Sequence, residues 1–148
     1  MVSLLLLVGI AFQQAETPSA QRWWDDKVEA SIGRAPERAE AWRQALRKTK
    51  PEHREGMAYL VSYLPISDVL GGMTPEKLKE NLELAYQARA EVPWGASLPE
   101  PVFLDAVLPY LSVTEPRDPM RREFHDRYLP LVKHCETPGE AEIGRAHV

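Results

Sequence analysis

Cys135 follows His134 directly, and a cysteine activated by a histidine is a familiar thiolate nucleophile. Successive residues on a helix point ~100° apart, so this pair would not face each other there. An inert, buried thiol on the Leu131–Cys135 line is the plainer reading. His125 and His134 stand nine residues apart, not at the one-turn spacing of a helical metal pair. His53 is isolated near a helix start and His147 sits near the C-terminus, so no metal centre is expected. Glu100 and Asp105 offer two carboxylates for acid–base work. Five apart on a helix, they fall well off one face. Glu100 suits a helix N-terminus for dipole reasons, and Asp105 is expected to bond a neighbouring loop or an arginine. Trp94 beside Gly95 could line a ligand cleft, but an aromatic packed under a turn is the commoner outcome. Gly71-Gly72 is a turn signal without the further glycines and lysine of a phosphate loop. Arg43, Arg47 and Lys48 read as a solvated helix end, where cations suit the dipole. No residue is assigned a catalytic, cofactor-binding or metal role.

The elements that must position these residues are helices. Of 148 residues, 44% are hydrophobic and 27% charged, ordinary values for one modest domain. The net charge of −4 and the lack of a basic run exclude a nucleic-acid footprint, and one cysteine excludes an internal disulfide. The chain has 13 prolines against 8 glycines. Pro36, Pro51, Pro75, Pro99, Pro119 and Pro138 fall where helices would begin, a position that tolerates the missing N–H. The expected fold is mainly α: about six short, proline-started helices around a central helix over residues 99–111. That segment reads as apolar all round, with Val102, Phe103, Ala106, Val107 and Tyr110 on one side and Leu104, Leu108 and Leu111 on the other. Such a helix is expected to be buried.

Trp24, Val28 and Ile32 predict a first helix over residues 21–32, ended by Gly33. Ala35, Ala39, Trp42 and Leu46 mark a second from Pro36 to Lys48. Met57, Leu60, Val61 and Leu64 mark a third, flanked by Tyr59 and Tyr63 and stopped by Pro65. Thr74-Pro75-Glu76 opens a fourth, whose stripe is Leu78, Leu82, Ala85 and Tyr86. A helix from Pro119 would lay Met120, Phe124, Leu131 and Cys135 along one side, with Pro130 bending or breaking it near Asp126. No strand of useful length and no repeat is expected.

The two ends read differently. Residues 1–15, with Leu4 to Leu7 in an apolar run too short to span a bilayer, read as a secretory signal, though without a basic flank. A buried first helix is the alternative. Export to the periplasm or the extracellular space follows, with no stable membrane insertion after cleavage. Residues 142–148 contain Ile-Gly-Arg-Ala-His-Val, the translation of a common sequencing adapter. The natural coding sequence is therefore expected to stop near Ala141, a plain polar tail being the alternative. Thr137-Pro138-Gly139-Glu140 has the form of a capping box and announces a helix that then lacks a body.

Several stretches resemble a known family when taken together. They are Glu55 to Pro65, Asn81 to Arg89, Pro93-Trp94-Gly95, Leu98-Pro99-Glu100, Phe103-Leu104 and Val107-Leu108-Pro109-Tyr110. Glu115, Arg117-Asp118, Leu131 to Cys135 and Thr137 to Ala141 complete the series. It resembles the helical N-terminal region of secreted bacterial proteins with a transglutaminase-like core, over about residues 38–141 of a helical region spanning 21–141. Met120 departs from the family, which usually has a Trp there. The resemblance implies a papain-like α+β core with a Cys-His-Asp triad that is not in this chain. Cys135 does not correspond to that family's nucleophile. Trp94, Gly95, Pro99, Glu100, Phe103, Leu104, Leu108, Pro109 and Tyr110 are family-motif residues with structural roles. The expected function is that of an accessory region, inactive alone and without a cofactor. Its partner is the C-terminal core of the same polypeptide, acting by acyl transfer or amide hydrolysis on peptide or protein substrates. A non-enzymatic helical binding module is the alternative.

Overall fold

A computed structural model describes residues 22–110 and 120–146, and there the chain is mainly α, with no strand among the described residues. The apolar run within residues 1–15, Leu111, Glu115, Arg117-Asp118, Pro119 and His147 lie outside them, as does the Met120 side chain.

Helix α1 spans Asp26–Ile32, shorter than its apolar stripe. Asp25 caps it, accepting from the Val28 amide at 3.0 Å. Trp24 stays buried ahead of the helix, its indole N–H donating to Glu29 Oε2 at 3.0 Å across the first turn. Helix α2 is Pro36–Arg47, and Ala35, Ala39, Trp42 and Leu46 are buried along one line as their spacing requires. A tight turn at Pro51–His53 leads into α3, Arg54–Ser62, which buries Met57, Leu60 and Val61. A wide turn over Asp68–Gly72 follows. Helix α4, Pro75–Glu91, starts with proline at its first position and the Lys77 amide bonded to the Thr74 hydroxyl.

After a turn at Gly95–Ser97 comes α5, Glu100–Val102, continued by one wider helical turn over Phe103–Val107. This segment is not buried all round: Phe103, Leu104 and Leu108 are enclosed, whereas Val102 is 45% exposed and Ala106 also faces solvent. The packing centre is α4 instead. Helices α2 and α3, α6 (Met120–Val132) and the turns at Pro51–His53 and Gly95–Ser97 all pack on it. Trp42, Phe103, Ile32, Leu46, Met57, Leu78, Leu82 and Leu108 form the interior.

Helix α6 departs from the expected pattern twice. It runs unbroken through Pro130, and the Lys133 amide still bonds to the Leu129 carbonyl at 2.9 Å. Proline near the last turn frees only the carbonyl four residues back, at Asp126, an exposed residue where water can serve. Its buried side is also not the Phe124–Leu131 line: Phe124 and Leu131 are 46% and 49% exposed, and Leu129 is buried. Helix α7, Pro138–Ala146, does have a body and continues through residues 142–146. Thr137 caps it by accepting from the Glu140 amide at 3.2 Å, while Glu140 reaches back to the Glu136 amide at 2.8 Å. No described helix is long and apolar enough to cross a membrane.

Candidate functional site

Of the motif residues, Gly95, Glu100 and Phe103 gather at the C-terminal end of α4, where Arg89 holds them. Its Nε donates to the Gly95 carbonyl at 3.1 Å and one Nη to the Leu98 carbonyl at 2.8 Å. The other Nη donates to Glu100 Oε2 at 2.5 Å, and the guanidinium lies 4.4 Å from the Phe103 ring centroid. One planar fork thus ties the Trp-Gly turn, the Leu-Pro-Glu segment and the following helix to α4. Gly95 is required here by space: a Cβ would sit 1.8 Å from the Arg89 carbonyl oxygen. Trp94 is half-buried over this turn, and Ser97 donates to its carbonyl at 2.7 Å.

The same device recurs at the ends of other helices and turns. Arg38 of α2 donates to the carbonyls of Val69 at 2.8 Å and Met73 at 2.7 Å. Arg34 closes the end of α3 through Leu64 at 2.7 Å, beside a Ser31 hydroxyl bonded to the Val61 carbonyl at 2.6 Å. Arg121 reaches from α6 to the Val107 and Pro109 carbonyls, and Asn81 of α4 takes the Leu108 carbonyl between them at 2.9 Å. Burial pushes Arg121 below the usual arginine value. Helix ends leave carbonyls without partners inside the helix, and long side chains from neighbouring helices fill that need. Arg43 and Arg47, expected at a solvated helix end, are paired with Glu29 and Glu40.

The two carboxylates considered for acid–base work are kept apart by the fold. Glu100 opens α5 and belongs to Arg89, whereas Asp105 accepts from the Tyr59 hydroxyl at 2.9 Å instead of from a loop or an arginine. That acceptor holds the Tyr59 hydroxyl above its ordinary value. Tyr110, last of the motif residues, donates to Asp68 Oδ2 at 2.5 Å. Asp68 is fully buried, and this pair fastens the 68–72 turn to the end of the motif. Nothing in the sequence singles out Asp68: a position three residues before a Gly-Gly pair carries no signal of a partner 42 residues away.

Cys135 is half-buried, not enclosed, just beyond α6, and His134 beside it is exposed. No hydrogen bond joins the thiol to a histidine among the described residues, and no His, Cys, Asp and Glu group there could hold a metal ion. Beside the Arg89 clasp runs an open groove of about 540 Å³ along the end of α4, lined by Glu52, Tyr86, Glu91, Val92, Pro93 and Ala96. Tyr86 forms its wall, stacked on His53 at 4.4 Å and edge-on to Phe103 at 4.9 Å. Burial raises the Tyr86 hydroxyl above its ordinary value. In chemical terms the arrangement holds segments in register.

Compared with known proteins, the chain matches no family model, no curated protein and no solved structure.

Proposed function

We propose that this chain is the helical accessory region of an exported, transglutaminase-like protein, lying ahead of a papain-like core that carries the Cys-His-Asp chemistry. The order Pro93-Trp94-Gly95, Pro99-Glu100, Phe103-Leu104 and Val107 to Tyr110 is the observation that carries this reading. The clasp by which Arg89 gathers Gly95, Glu100 and Phe103 supports a structural role for that order. Tyr63, Ile66, Leu70, Phe124 and Leu131, all about half exposed or more, are apolar side chains on which a second lobe could rest. On this reading the region orients the core and has no activity by itself. Sequencing the gene beyond codon 141 tests it. A downstream Cys, His and Asp in a mixed α/β pattern supports the proposal, and an authentic stop codon directly after Val148 defeats it.

A further inference from the structure

We propose that the His53–Tyr86 stack is an acid-sensitive joint. With a neutral imidazole it holds the Pro51–His53 turn and the start of α3 on α4. On protonation the stack loosens and the turn loses part of its hold on α4. This inference goes beyond the accessory role and does not depend on it.

Three observations converge on the joint. The His53 ring is half-buried and lies nearly parallel to Tyr86, with ring centroids 4.4 Å apart and planes 29° apart. Its ring nitrogens have no hydrogen bond or ion pair among the described residues to stabilise a charge. His53 is also the capping residue of the nine-residue α3. A cation there opposes the helix dipole, so the charge is disfavoured by position as well as by burial. Tyr86 in turn is nested: a Cβ added at Gly56 would meet its ring and hydroxyl at 2.9 Å, and its other side meets Phe103. A displaced His53 therefore moves Tyr86 or loses contact with it.

The surrounding charges do not reverse this. Glu52 on the same turn and Glu83 on α4 favour protonation, and Lys50 opposes it, as burial does more strongly than any of them. Around Tyr86 stand Glu55, Arg89 and Glu100, the last two committed to each other. The net direction is a His53 lowered from its ordinary value of 6.5. A folded value below the unfolded one means that the joint contributes fully above the ordinary histidine range. That contribution is lost as pH falls through the lowered value.

The test is an NMR titration of the histidines in the full chain, with thermal midpoints measured from about pH 7 to about pH 5. His53 is expected to titrate below the ordinary histidine value of 6.5, and the midpoint to fall across that range. His53→Phe, which keeps the stack and removes the proton, is expected to flatten the fall. His53 titrating at or above 6.5 overturns the proposal. So does a fall that persists in His53→Phe. If His53→Phe does not fold, the titration of the unmodified chain decides.

Discussion

Arg89 and Glu100 meet at 2.5 Å although α4 ends and a turn intervenes between them, and that contact ties the start of α5 back to α4. Arg89 is 18% exposed and Glu100 35%, so the pair is screened less than a surface ion pair. The same guanidinium also serves two backbone carbonyls. Arg89→Ala is expected to cost about 2 kcal/mol, the scale of charged hydrogen bonds lost to an unfilled site. Arg89→Lys recovers only part of it, because an ammonium cannot span three acceptors in one plane. Urea unfolding of the two variants measures this, and equal stability of Arg89→Lys and the parent would remove the fork from the account.

Gly95 is the most tightly enclosed of the glycines at positions 33, 56, 71, 95 and 139. Gly95→Ala drives a methyl to 1.8 Å from the Arg89 carbonyl, a contact with backbone that no rotamer relieves. The turn must then leave α4, at a cost of about 3 kcal/mol or more. Gly71→Ala is the control. Its φ of 166° is extended backbone and nothing lies within 4 Å of the added atom, so a change within about 0.5 kcal/mol is expected. Thermal melts of the pair give the contrast directly.

Much of the helical layer was legible because local signals agreed with burial. Pro36 and the Ala39, Trp42 and Leu46 spacing gave α2, and Thr74-Pro75 gave the start of α4. Residues 99–111 misled for a simple reason. Val102 and Ala106 are apolar yet exposed, and an apolar side chain is under no obligation to be buried. The arginine clasps were illegible in principle. A helix-end carbonyl has no side-chain identity, so nothing in the sequence pairs Arg38 with Val69 and Met73, or Arg121 with Val107. Of the candidate site, the motif residues could be named in advance, but not the residue that binds them together.

Helix α6 offers a direct check of which face is inside. Leu129 is 7% exposed, whereas Leu131 is 49% and Phe124 46%. Leu129→Ala is expected to cost about 2 kcal/mol. Leu131→Ser and Phe124→Ser should stay within about 0.5 kcal/mol in the isolated chain. Chemical denaturation separates the two faces, and a reversed order would restore the Phe124–Leu131 line as the buried one. If the proposed core rests on this face, the same two serine substitutions lower solubility or yield only when the core is attached.

Glu29 links α1 to α2 and carries a pH signature of its own. Its carboxylate accepts from the Arg43 guanidinium and from the Trp24 indole, and these bonds, the Arg43 contact first, hold it below its ordinary value of 4.5. The folded value is therefore lower than the unfolded one. The stabilisation is fully present above the ordinary glutamate range and is lost as pH falls through the depressed value. Glu29→Gln keeps the shape and removes the charge. At neutral pH it should unfold at lower urea than the parent, and the gap should narrow as pH falls below the ordinary glutamate range and through the depressed value. A gap that persists unchanged in acid would mean that the contribution of Glu29 comes from packing and neutral hydrogen bonds, with the ion pair to Arg43 adding nothing.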